Sequence, residues 1–300
     1  MSVTAVFTHY NGGQDLQRAV TSLWRTAVYP DYKVVVWDDG SRLDDGGRVF
    51  ATQMAQDGRL HLIQSLENVG PTIGLNRAAR LCLGDDILRM DADTEYLYPG
   101  WLARMVSFLA ERPDVGIVAP LLVVPDGVSV HSAGQRIVAS PQEYEANPNW
   151  KYMLNEVFDG AGRHRREYTY PLEVDAVLGC CALVRQEVWQ AIGGVDETYF
   201  GWTEDLDMCV AARKAGYKVY VLPDIVAVHH CGGMYKRPDK EAIDILRVNF
   251  QHFANKWGWH PWRPWERFDE ILKRWYGTEI TWRYNGRLLS EVMEAGTTNG

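Results

Sequence analysis

Asp91 and Asp93 close a short apolar run, Ile87 to Met90, with two carboxylates two residues apart. If that run is a buried strand, its end delivers both acids to the rim of a sheet, where open α/β proteins place their ligands. Taken alone, the pair is explained more simply as a solvated turn, because Asp-x-Asp arises often by chance. Two later clusters could complete a site. Thr203-Glu204-Asp205 opens a helical run, and its plain structural explanation is a threonine N-cap followed by acids favoured by the helix dipole. That dipole would lower the Asp205 pKa, so service as a general base requires burial to raise it. His229-His230 ends a strand-like run; one reading is ordinary surface histidines, the other a third ligand for a divalent cation held by Asp93. No second Cys or His cluster accompanies His-His-Cys, which excludes a zinc site by spacing.

The elements that would position these groups follow from periodicity. Val3 to Thr8 is β-rich, and Asp15 to Arg25 carries Leu16, Ala19, Val20 and Leu23 at helical spacing. Lys33 to Trp37 and Leu60 to Gln64 read as strands, with a helix from Arg48 to Gln56 between them. Pro71 opens a helical run through Cys82, Asp86 to Met90 is a fourth strand, and a helix from Gly100 to Glu111 precedes a strand over Val115 to Val124. This alternation predicts a parallel sheet with helices on both faces. Asn11, Asp38, Asp39, Asn68, Asp91 and Asp93 all follow apolar runs, at the carboxyl ends of predicted strands, so a nucleotide or other polar ligand is expected there.

From Pro125 to Pro171 the pattern loosens into an irregular insertion. Glu173 to Val184 then reads as a strand, Gln186 to Ile192 and Thr203 to Ala215 as helices, and Lys218 to Leu222 and Ile225 to His229 as two short strands. Asp239 to Trp257 is helical by period, and a Trp-rich segment follows.

Composition narrows the function classes. Of 300 residues, 46% are hydrophobic, enough for a packed core, and 31 basic against 39 acidic residues leave a net charge of -8. That balance disfavours a protein whose affinity rests on nucleic-acid phosphates, the local patch Arg163-His164-Arg165-Arg166 notwithstanding. Five cysteines fit no disulfide framework and read as small buried hydrophobes in a reducing compartment. With no signal-peptide pattern, and with Val115 to Val124 too short to cross a bilayer, a cytoplasmic chain is expected.

As an ordered set the clusters resemble glycosyltransferase family 2. The resemblance rests on Phe7-Thr8-His9-Tyr10-Asn11, Val36-Trp37-Asp38-Asp39-Gly40-Ser41, Glu67-Asn68-Val69-Gly70 with Asn76, Met90-Asp91-Ala92-Asp93, and Gly193-Gly194-Val195-Asp196-Glu197 running into Thr203-Glu204-Asp205-Leu206-Asp207. It covers about Val3 to Gly233. It implies a GT-A fold: a Rossmann-like, mostly parallel sheet with a nucleotide-sugar half over 1–120 and a mixed acceptor-side half over 121–235. A helical, Trp-rich extension over 236–300 would follow. The implied activity is inverting, metal-dependent transfer from a nucleotide diphosphate sugar, UDP-linked before dTDP-linked, to a hydroxyl acceptor whose identity stays open. Thr8, Tyr10, Asn11, Asp38, Asp39, Asn68, Gly70, Asn76, Asp91 and Ala92 would line the donor pocket. Asp93, Asp91 and His229, with His230 as the weaker choice, would hold Mn2+ or Mg2+, and Asp205 beside Glu204 would be the base.

Arg89 departs from the family's apolar strand pattern, which calls for an edge strand or for pairing with an acid such as Asp39. For the tryptophans of the extension, core packing ranks first, stacking on an acceptor second and peripheral contact with a membrane surface third. Two competing functions share the sheet. A sugar-1-phosphate nucleotidyltransferase would want basic residues that Tyr10-Asn11-Gly12-Gly13 lacks, and a catalytically silent binding module would not require intact Asp91, Asp93 and Asp205.

Overall fold

A computed structural model describes residues 1–82, 84–135 and 164–230. Beyond these it describes 245, 248, 249, 252, 253, 255–257 and the backbone of 283, 284, 287 and 288. The first half alternates as expected: β1 (Val3–His9), α1 (Asp15–Thr26), β2 (Tyr32–Asp38), α2 (Gly46–Gln56), β3 (His61–Gln64), α3 (Pro71–Ala79) and β4 (Asp86–Asp91). There follow β5 (Thr94–Tyr96), α4 (Trp101–Glu111), β6 (Val115–Val123), β7 (Val130–Ser132), β8 (Leu172–Val174), β9 (Cys181–Val184), α5 (Gln186–Ile192), α6 (Glu204–Lys214) and β10 (Lys218–His229).

These strands form one sheet in the order β3-β2-β1-β4-β9-β6-β10-β5, with β7 on β6 and β8 on β10. β3, β2, β1 and β4 are parallel, whereas β9 inserts antiparallel to both β4 and β6. The two faces bury separate apolar layers. Leu16, Val20 and Leu23 of α1 pack with Leu102, Met105 and Leu109 of α4 against Phe7, Leu88 and Met90. Leu75 of α3, Val188 of α5 and Leu206, Cys209 and Val210 of α6 pack on the other face with Val6 and Ile87. Alternate residues of β4 thus serve opposite layers, which puts Arg89 and Asp91 on the α6 side.

Several sequence expectations are corrected. Glu173 to Val184 is two strands, because β8 pairs with β10 and the chain then crosses the sheet to place β9 beside β4. Lys218 to His229 is one strand: a register shift against β6 between Leu222 and Val226 absorbs Pro223, which has no N–H to give the ladder. Helix α3 ends at Ala79, not Cys82. The short strands β5 and β7, not legible in the pattern, lie beside the site. Much of the helix expected over 239–257 lies outside the described residues, as do 258–282. Phe253 is described, and it is buried in the α6-side layer. Cys82, Cys180, Cys181 and Cys209 are free and buried, as small hydrophobes would be.

Candidate active site

Asp91 is the last residue of β4, and its N–H donates to the Cys180 carbonyl of the chain entering β9, 2.9 Å away. Asp93 sits in the turn to β5. Because β5 pairs antiparallel with β10, with His229 opposite Thr94, that turn lies against the end of β10. His229 Nε2 is 3.4 Å from Asp93 Oδ1, and one ligand atom from each of Asp91, Asp93 and His229 falls within 4.8 Å of the others. Burial raises the Asp91 pKa, Arg89 opposes that shift and the neighbouring Asp93 charge adds to it. Two carboxylates and one imidazole converging at a strand end fit a divalent cation such as Mn2+, and a cation there would relieve the repulsion between the acids.

Of the two histidines only His229 joins this group. The other, His230, turns to Glu95, with 3.3 Å between Nε2 and Oε1. His131 of β7 stacks on His229 with its Nδ1 3.3 Å from the Nδ1 of His229, leaving Nε2 toward Asp93. Burial, then His229, pushes the His131 pKa down to about 3. Neutral His131 is suited to orient the metal-facing ring, and nothing in the loose pattern after Pro125 could have pointed to it.

On the α6 side, Asp205 Oδ2 accepts from Gly179 N–H at 2.7 Å and Oδ1 from Leu206 N–H at 2.7 Å. Burial raises its pKa to about 6, the Glu204 charge adds to the rise, and Arg89 with the two backbone donors opposes it. Burial therefore outweighs the Arg89 charge and the two backbone donors, the direction a general base needs. The N-cap expected of Thr203 does not form. Trp202 and Thr203 both take left-handed backbone, with φ 50° and 70°, and the buried Thr203 Oγ1 has no hydrogen-bond partner among the described residues. Arg89 is also resolved differently. β4 lies between β1 and β9, not at an edge, and the guanidinium is ion-paired with Glu204, not Asp39. An ideal Cβ on Gly179 would stand 2.4 Å from the Arg89 Cζ, so the residue that donates to Asp205 must also be small enough to admit the guanidinium.

Of the residues expected to line the donor pocket, Thr8, Tyr10, Asn11, Asp38 and Asp39 lie at the ends of β1 and β2. Thr8 pairs in register with Trp37 and Asp91, Tyr10 is half exposed, and Ala92 lies between Asp91 and Asp93. Asn11, at φ 48°, donates its N–H to Ser41 Oγ and accepts from Arg42 N–H, both at 2.9 Å. Asp38 and Asp39 are buried. Asp38 Oδ1 accepts from Ser41 N–H, while Asp39 accepts from Val69 N–H, Gly70 N–H and the Trp37 indole. Their carboxylates thus shape the loops of the rim from beneath. Asn68 is exposed at that rim and caps Gly70 N–H at 3.1 Å. Gly70 takes φ 92° and lies so close to Phe200 that a Cβ would meet its ring at 2.8 Å. Asn76 is tied to the loop after α5: its amide bonds Val195 in both directions and reaches Glu197. His9, which sequence reasoning passed over, is fully buried between Gly12 and Gly47, with Nε2 2.7 Å from Asp45 Oδ1. Asp45 also accepts from Gly13 N–H and caps α2, so the pair ties the loop after β1 to the next helix.

The family model described as glycosyl transferase family 2 matches residues 4–193, close to two thirds of the chain. The chain belongs to that family. A second model, the N-terminal domain of galactosyltransferase, matches residues 161–243, which span α6 and β10. Among curated relatives, the N-acetylglucosaminyl-diphospho-decaprenol L-rhamnosyltransferase of Mycobacterium tuberculosis is 26% identical over 234 residues, covering 74% of this chain and 73% of its own. An uncharacterised Sinorhizobium fredii protein is 26% identical over 82% of this chain, which spans only 26% of that relative's length. Two solved structures share the fold. Mannosyltransferase PcManGT from Pyrobaculum calidifontis, in complex with GDP-Man and Mn2+, is 19% identical with a TM-score of 0.56, covering 99% of this chain and 75% of its own. GalNAc-T7 with UDP, GalNAc and Mn2+ is 16% identical with a TM-score of 0.56, covering 77% and 44%. The glycosyltransferase family 2 architecture thus accounts for the GT-A arrangement of sheet and helices.

Proposed function

We propose that the protein is an inverting, metal-dependent glycosyltransferase that moves a sugar from a nucleotide diphosphate sugar to a hydroxyl acceptor. The observation that carries this reading is the convergence of Asp91, Asp93 and His229 at the end of β4, the strand whose Arg89 holds Glu204 beside a carboxylate, Asp205, with a raised pKa. Asp93, Asp91 and His229 would hold the cation, which supplies Lewis-acid stabilisation for a departing diphosphate. The loops shaped by Asn11, Asp38, Asp39, Asn68 and Gly70 would seat the nucleoside, with Thr8, Tyr10 and Ala92 along the same rim and Asn76 fixing the neighbouring loop. Asp205 would accept the proton of the acceptor hydroxyl as that oxygen attacks the anomeric carbon from the face opposite the leaving group, which inverts the configuration. Glu204 would support it from the ion pair with Arg89.

Family membership supports glycosyl transfer over nucleotidyl transfer. UDP-sugars are the first donors to test, with dTDP- and GDP-sugars beside them, since the solved neighbours hold UDP and GDP-Man. Among the described residues no helix is long and apolar enough to cross a membrane. A thermal-shift screen of nucleotide sugars with and without Mn2+ tests the proposal, because a ligand bound only by the folded state raises the unfolding midpoint. One sugar nucleotide is expected to stabilise the protein with Mn2+ and to lose that effect in EDTA. Stabilisation untouched by EDTA would contradict metal dependence.

A further inference from the structure

The loop over 193–203 sits between two sets of anchors. On the α3 side, Asn76 bonds Val195 in both directions, Thr72 Oγ1 donates to the Tyr199 carbonyl and Phe200 lies against Gly70. On the other side the anchors come from the C-terminal stretch 249–257. Asn249 is buried, and its amide nitrogen donates to the carbonyls of Gly201 and Trp202. Lys256 Nζ bridges Asp196 Oδ2 at 2.8 Å and Asp207 Oδ2 at 2.7 Å. His252 Nε2 is 3.0 Å from Asp196, and the Trp257 indole donates to Asp207 Oδ1 at 2.8 Å, beside the Tyr199 hydroxyl on the same oxygen. Phe253 anchors the stretch in the core.

These anchors bracket the two left-handed residues, Trp202 and Thr203, that immediately precede Glu204 and Asp205. Left-handed backbone at non-glycine residues is strained and persists only where the surroundings over-determine it. The bracket supplies that determination: Asn249 holds the carbonyls of Gly201 and Trp202, just before and within the turn, and Lys256 with Trp257 holds the first turn of α6 through Asp207. The turn in turn sets the direction in which α6 starts, toward Arg89 and Gly179.

We infer that Asn249 and Lys256 are positioning residues for Asp205: they hold the strained turn at 202–203 so that the carboxylate meets the acceptor hydroxyl in line. The inference rests on the reading of Asp205 as base, and the test separates the two. In Asn249→Ala and Lys256→Met, hydrogen exchange of the amides over 200–207 should rise while that over 67–76 is unchanged. Affinity for UDP, dTDP or GDP with Mn2+, whichever binds the wild type, should stay within about threefold. Release of the nucleoside diphosphate from the matching sugar nucleotide should fall about 10–100-fold, the scale of a small misplacement of a reacting group, and Lys256→Arg should recover most of it. Unchanged exchange over 200–207, or unchanged turnover in folded variants, would overturn the inference. So would failure of both variants to fold, which would make the stretch a general support of the core. Asp205→Asn in the same assay judges the base: if it keeps turnover, that reading fails, while the exchange data still decide whether the clamp exists.

Discussion

Asp205 is under opposing influences that make its role testable by pH. Burial and the Glu204 charge raise its pKa to about 6, whereas the Arg89 guanidinium and two backbone N–H groups pull it down. A base works only when ionised, so turnover should rise with pH through the Asp205 pKa and level off above it. Glu204→Gln removes the like charge and should move that limb to lower pH. Arg89→Met removes the opposing cation and should move it to higher pH. A pH–rate profile of each variant checks both signs, and two limbs displaced in the same direction would refute the electrostatic account. At this scale the sequence showed which residue types were available, and Asp91, Asp93 and His229 meet as their strand-end positions suggested. It could not show that Arg89 answers Glu204, since the two lie 115 positions apart and only the packing of α6 on β4 joins them.

Elements decide how closely these groups approach. Gly179 lies in the irregular crossing that takes the chain from β8 to β9, where its N–H reaches Asp205 and its missing side chain admits Arg89. Gly179→Ala should therefore act twice. Overpacking against the guanidinium should cost about 1–3 kcal/mol of stability, read by urea unfolding, and turnover should fall by more than stability explains. A variant with wild-type stability and turnover would show that the crossing has slack. The parallel strands β1 to β4 were legible because each is a compact run that alternates along the chain with helices of clear period. β5 and β7 were not, being three residues long, so local pattern carries little trace of them, and β9 was legible only as the end of a longer expected strand. The expected break at Pro223 failed for a related reason: a bulge let the strand continue past it.

For the whole molecule, the proposed function divides the labour: the parallel end of the sheet, β3-β2-β1-β4, would offer its rim loops to the nucleoside, Asp91, Asp93 and His229 would hold the cation, and Asp205 of α6 would face the acceptor. The family resemblance implied such a division from the order of motifs along the chain. The C-terminal bracket was not readable, because Asn249 and Lys256 belong to a helical pattern with no chemistry of its own, and their meaning lies in the loop they hold. The division predicts that metal-dependent donor binding and proton transfer can be lost separately. Titration calorimetry with the donor from the thermal-shift screen and Mn2+, on Asp93→Ala and Asp205→Asn, tests this most directly. Asp93→Ala should lose the Mn2+-dependent binding heat. Asp205→Asn should bind the donor within about threefold of wild type yet turn over about 100–10,000-fold more slowly. Equal loss of donor binding in both variants would contradict the account.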